Sequence, residues 1–289
     1  MGFGGGGVTA APAQVSERVG QLGDETIAAG AALLAAIPTD LREVVETPEG
    51  ASHLVLALLL GRERAERTTQ AEDLVMALGQ ERAGTIVRLA NRLGAVDARM
   101  RLPLVDLATP QLRRLDAAGR EQVLALVGQL ASADGVVTWF EAGLSWLLEH
   151  RLCADGRREP RGRSLKAVGP DLVKLLALLA HVGHAGDVGA VQRAFALGRA
   201  RLARAWPPAA AADDTSLGAS TVADLSRLLD RLAGSTYTVK QVALDAAAHV
   251  VLADGRVTLE EAEGLRLLAF ALDCPLPPFL EAQVAPAGT

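Results

Sequence analysis

The stretch "VLADGRVTLEEAEGLRLL", residues 251–268, sets an Asp-Gly turn between two apolar runs, and a second copy, "ASADGVVTWFEAGLSWLL", begins at residue 131. In this register Ala133/Ala253, Asp134/Asp254, Gly135/Gly255, Val137/Val257, Thr138/Thr258, Glu141/Glu261 and Ala142/Ala262 are identical pairs. Leu124/Leu244, Leu147/Leu267 and Leu148/Leu268 extend the match on both sides. The ends of a helix leave amides and carbonyls that need partners. Gly135 and Gly255 stand where a residue of positive φ ends the first helix of each copy. Thr138 and Thr258 then cap the second helix, with Glu141 and Glu261 at its third position. Each Thr-x-x-Glu reads as a capping box, in which hydroxyl and carboxylate satisfy each other's backbone amides. A short connection lays the paired helices antiparallel. The copies lie too far apart for an ordinary solenoid unit, so the pattern predicts two related helix hairpins separated by other helices.

The same turn invites comparison with a calcium loop of the form D-x-[DN]-x-[DN]-G-x5-E. Matching Gly135 and Gly255 to its glycine puts Leu130 and Val250 at the first ligand position, and Ser132 and Leu252 at the third. Only Asp134 and Asp254, with Glu141 and Glu261, keep carboxylates. Calcium takes roughly six to eight oxygens, so a helix turn is the better reading of both copies. Metal binding at Asp134 and Asp254 stays a secondary one. A second candidate is "HVGH", where His181 and His184 end an apolar helix with Asp187 nearby as a third ligand. Gly183 signals that the helix stops there, and histidine at a helix C-terminus interacts well with exposed carbonyls. His150 has the same reading. His53 and His249 sit in apolar helices and read as packed or hydrogen-bonded. Trp139, Phe140 and Trp146 read as core or interface anchors. The sequence holds no HExxH, GxSxG or P-loop motif, and no catalytic residue is assigned.

Composition agrees with helices. Of 289 residues, 50% are hydrophobic and only 3% aromatic, so Leu, Val and Ala must fill the core, and Ala and Leu favour helix. The net charge of −5 offers no basic footprint for nucleic acid. Lysine occurs only at Lys166, Lys174 and Lys240; the arginine-dominated positive charge reads as a codon bias. Two cysteines, Cys153 and Cys274, do not make a disulfide scaffold and fit a reducing cytoplasm. No stretch reaches the roughly 18 apolar residues of a membrane span.

Along the chain, residues 1–15 read as a Gly-rich flexible linker, such as a piece cut from a longer protein would begin with. Residues 16–152 read as a helical subdomain holding the first hairpin, with helices near 117–133 and 139–152. Pro103 and Pro110 restrict "RLPLVDLATPQLRRL" (101–115) to short helical pieces. The charged 153–166 segment reads as a loop and boundary. Residues 167–280 read as a second subdomain with helices near 170–182, 187–204, 220–233, 238–253 and 259–272. "WPPAAAADDTSLG" (206–218) reads as a further linker, and 281–289 as a flexible tail. The fold expected is all-α, with about ten helices.

The hairpins resemble the TerB-like helical module, in which an "ADG-x-v-t-x-x-E" turn recurs. Nearly the whole chain is similar to the C-terminal, non-proteolytic region of bacterial membrane zinc metallopeptidases of the HtpX and CAAX-prenyl-protease type. The stretches that carry the likeness are "SERVGQL" (16–22), "LLAAIPTDLREVVETPEGASHLVLALLL" (33–60), "RLPLVDLATPQLRRL" (101–115), "ASADGVVTWFEAGLSWLLEHRL" (131–152) and "ADGRVTLEEAEGLRLLAFALDCPLPP" (253–278). The last is the most specific. The resemblance implies a regulatory or interaction domain whose partner is a membrane-embedded protease domain, in cis or in trans, with protein substrates in reach. Zinc is then expected only in that linked protease, with no cofactor in this chain, and the location is cytoplasmic, at the inner face of the inner membrane. The family's HExxH lies outside the likeness, so none of its catalytic residues carries over. The alternative expectation is a stand-alone TerB-like stress-response module that binds divalent metal or a protein partner.

Overall fold

A computed structural model describes residues 35–61, 63–133, 138–152, 162–184, 186–212, 222–255 and 257–273. Asp134, Gly135, both cysteines, the 1–15 and 281–289 segments and most of the 153–166 loop lie outside the described residues. The chain is all-α: twelve helices and two short 3-10 turns, with no strand among the described residues. They fall into two compact units, 35–152 and 162–273.

The first unit holds α1 (Thr39–Val44), α2 (Pro48–Ala57), α3 (Arg64–Leu78), α4 (Gln80–Leu93), α5 (Arg101–Leu112), α6 (Ala117–Leu130) and α7 (Trp139–Leu152). Helix α2 lies at the centre, against α1, α4, α5 and α6. Its Ala51, Leu54, Val55, Leu56 and Ala57 are all buried, as expected of a helix that is apolar nearly all round. Thr47 caps its first turn by accepting the Gly50 amide. Buried Gln70 of α3 ties two helix ends together. Its amide donates to the carbonyls of Leu59 and Leu130, and its oxygen accepts from Gly61.

The prolines of α5 do not divide it. Pro103 falls in the first turn, where its missing amide is not needed, and Pro110 lies one turn from the end of a single twelve-residue helix. Burial of Leu102, Leu104, Val105, Ala108 and Leu112 holds the helix in place. Arg151 of α7 braces the Pro110 turn, pairing with Asp106 at 2.6 Å and donating to Thr109 at 3.0 Å. Of the aromatic anchors, Phe140 and Trp146 are buried and Trp139 is partly exposed. The Trp146 indole stacks on His150 at 3.9 Å between ring centres.

The second unit holds α8 (Leu165–Gly183), α9 (Val188–Ala203), α10 (Val222–Ala233), α11 (Tyr237–Val251) and α12 (Leu259–Ala271). Here α8 is central and meets all four others. It begins at Leu165, inside the segment read from sequence as loop, with the extended Ser164 as its N-cap and Pro170 inside the helix in its second turn. Arg163 makes a short parallel bridge with Ser235. The proposed 206–218 linker is also partly built: Pro207–Ala211 forms a 3-10 turn against α9. Two prolines at its start preset φ. Trp206, just before it, covers Gly169, where a Cβ would lie 2.6 Å from the indole. Twelve helices lie among the described residues, where the sequence led us to expect about ten in all.

Candidate functional site

The second hairpin runs from α11 through a turn into α12. Gly255 has φ +76°, the left-handed conformation that glycine adopts without steric cost. It lies three residues beyond the Leu252 cap of α11, not directly after the helix, and its amide donates to the Leu252 carbonyl at 3.2 Å. Thr258 caps α12. Its hydroxyl accepts the Glu261 amide at 3.2 Å, while Glu261 Oε2 accepts the Thr258 amide at 2.8 Å and its hydroxyl at 2.9 Å. The first hairpin repeats the box between Thr138 and Glu141, with the same three contacts at 3.2, 2.8 and 2.8 Å.

The two glutamates differ in what surrounds them. Glu141 is partly exposed, whereas Glu261 is 1% exposed. Glu261 Oε1 is buried and makes no hydrogen bond. It lies 3.9 Å from His184 Nε2, too far for a hydrogen bond and within ion-pair range when the imidazole carries a proton. Burial pushes the Glu261 carboxyl above the ordinary carboxylate range; donation from Thr258 and the charge of His184 pull it down, and the charge of Asp254 pushes it up. The close approach depends on Gly183, the last residue of α8. A Cβ there would lie 1.9 Å from Glu261 Oε1.

His184 also lines a cavity of about 630 Å³ with Asp187, Arg193, Leu197 and Asp254. Ala190, Ala196 and Ala253 complete its wall. Three parts of the second unit supply it: the end of α8, the first turns of α9, and the Ala253–Asp254 turn. Asp187 is the N-cap of α9, accepting the Ala190 amide at 2.9 Å. That hydrogen bond holds its carboxyl below the usual range, and the charges of Arg193 and His184 add to the effect.

Four residues singled out from sequence thus separate into two groups. His184, Asp187 and Asp254 share the cavity, but His181 does not join them: its Nδ1 pairs with the Ala177 carbonyl at 2.9 Å, one turn back. His150 and His249 make the same backbone contact, to Trp146 and Asp245. His53 lies near Glu49, and burial pushes its imidazole below the ordinary value. Among the described residues no group of three His, Cys, Asp or Glu converges as metal ligands would. Asp134, the remaining candidate, lies outside the described residues. Two contributors were not visible in the sequence. Arg193 looks like any helix arginine, and the burial of Glu261 depends on α8, remote in the chain.

No helix among the described residues is long and apolar enough to cross a membrane. No family model, no curated protein and no solved structure matches the chain.

Proposed function

We propose that the chain is a regulatory or interaction domain that works with a membrane-embedded zinc metallopeptidase and carries no protease site of its own. The carrying observation is the second hairpin turn. The stretch with the most specific resemblance to the tails of such enzymes, 253–278, contributes Ala253 and Asp254 to the cavity wall. Concave sites lined by apolar groups and a few placed polar ones are where partners and ligands dock. On this reading zinc belongs to the partner, and the domain sits at the cytoplasmic face of the membrane that holds it.

The test is capture of the full chain's partners from detergent-solubilised membranes of the source organism, with mass-spectrometric identification. A zinc metallopeptidase with an HExxH motif is the expected partner, encoded in the same reading frame or in an adjoining gene. Capture without any such enzyme, together with a genomic neighbourhood that lacks one, would sink the reading.

A further inference from the structure

We infer that His184 and Glu261 hold a single proton between them, and that this proton latches the end of α8 to the first turn of α12. Its loss loosens the second hairpin, so that the turn carrying Asp254 opens more often as pH rises. The inference is independent of what the domain binds.

The pair joins two elements remote in sequence. His184 is the C-cap of α8, and its side chain is 9% exposed; that of Glu261, in the first turn of α12, is 1% exposed. Their Nε2 and Oε1 atoms lie 3.9 Å apart, and Gly183 has no Cβ to part them. Glu261 Oε2 is tied to Thr258, while Oε1 has no hydrogen bond. A carboxylate alone in so dry a site is costly. One proton removes the net charge, whether it sits on the carboxyl or makes the imidazole the partner of an ion pair. It therefore belongs to the pair and not to either residue. A second proton would leave a buried imidazolium unopposed. The surroundings lean the same way. Asp254, beyond the end of α11, acts on Glu261 to favour a bound proton, and Asp187 of α9 attracts the charged His184, a pull that Arg193 weakens. Other charges on the neighbouring elements are engaged elsewhere. His181 of α8 holds the Ala177 carbonyl; on α10, Asp224 pairs with Arg227 and Arg231 with Asp171; on α11, Lys240 pairs with Asp273 and Asp245 with Arg201. Glu260, Glu263 and Arg266 lie on α12 itself.

Counting protons gives the sign. When the hairpin opens, both groups meet water and return to their ordinary values, 4.5 for the carboxyl and about 6.5 for an imidazole. Between those values the opened chain keeps one proton, on His184, and the closed pair keeps one too, so opening does not depend on pH. Above them the opened chain holds none. Opening then grows more frequent by up to about tenfold per pH unit, until the closed pair also gives its proton up.

The test is native-state hydrogen exchange of the full chain, followed by NMR from about pH 4 to about pH 8.5 and corrected for the intrinsic rate. The reporters are the amides of Glu261 and Ala262, which donate to the Thr258 hydroxyl and carbonyl. Glu141 and Ala142 make the same bonds to Thr138 in the first hairpin and serve as the internal control. Protection of the reporters relative to the controls is expected to stay level between about pH 4.5 and about pH 6.5 and to fall above that. Glu261→Gln should remove the fall. His184→Gln should move its onset down to about pH 4.5, because the opened chain then holds no proton above the carboxylate value. Parent curves in which the two hairpins run parallel, or in which the fall already begins at the carboxylate value, overturn the inference without any variant. So does a fall that survives Glu261→Gln, or an onset that His184→Gln leaves in place.

Discussion

Glu141 and Glu261 do the same work in their own turns, each carboxylate closing a capping box with the threonine three residues before it. Around Glu141 water reaches the side chain. Around Glu261 it does not, and one carboxylate oxygen is left facing His184 with no donor at hydrogen-bond distance. A capping box is set by local sequence, since it needs only a threonine, a glutamate and helical spacing. What the glutamate's second oxygen does is set by tertiary packing. The first hairpin uses the motif as a helix start. The second uses it as a helix start and also sets a buried carboxyl behind His184, which lines a cavity.

The strongest perturbation should treat the hairpins alike. Leu148 and Leu268, paired by the repeat, are both 0% exposed. Leu148→Ala and Leu268→Ala should each cost about 2–5 kcal/mol by urea denaturation. A loss from one and none from the other would mean that the two helices are not equivalent core elements.

Next comes a change specific to the second hairpin. Gly183→Ala puts a methyl group onto Glu261 Oε1, which the capping box holds in place. A loss of about 1–3 kcal/mol is expected, and it should shrink when Glu261→Ala is made as well, with a coupling of at least about 0.5 kcal/mol. Strict additivity in that double-mutant cycle would break the claimed contact.

Smaller again is the contrast between the caps. Thr138→Ala should cost about 1 kcal/mol. Thr258→Ala should cost about 2 kcal/mol, because it also strips the hydroxyl donor from a buried carboxylate. Equal losses by thermal denaturation would erase the distinction drawn between the two boxes.

The smallest effects concern pH. Folding raises the Glu261 pKa above its ordinary value of 4.5. Between the unfolded and folded values the native state retains a proton that the unfolded chain has lost. Stability from this group is therefore full below the unfolded value, falls as pH rises through the folded one, and then levels off. Glu261→Gln keeps a side chain that can close the box and abolishes that fall, so the variant should gain on the parent as pH rises through the window. Glu141→Gln should stay within about 0.5 kcal/mol of the parent. A parent and a Glu261→Gln variant with parallel stability–pH curves would show that the buried carboxylate costs nothing.

The same division between local and tertiary causes explains what could be read from sequence. The turn, Thr258 and Glu261 were legible because glycine, threonine and glutamate signal within a few residues of each other. So were most helices, whose apolar periods persist for several turns. Pro103 and Pro110 misled because their cost depends on position and on neighbours. One falls in a first turn, and Arg151, some forty residues on, braces the other. Likewise "HVGH" suggested a paired site, yet its two histidines part company, since His181 finds the Ala177 carbonyl inside its own helix. The site instead joins His184 to Asp254 and Glu261, and no spacing rule links residues so far apart.

The tryptophans give the molecule a built-in optical readout. Trp146 in the first unit stacks on an imidazole, and Trp206 in the second lies against a glycine backbone. Stacked imidazole quenches indole emission, so the two chromophores should differ in brightness. With Trp139 and Trp146 replaced by phenylalanine, emission would come from Trp206 alone. Fluorescence could then follow the second unit, with its cavity and buried glutamate, separately from the rest of the chain.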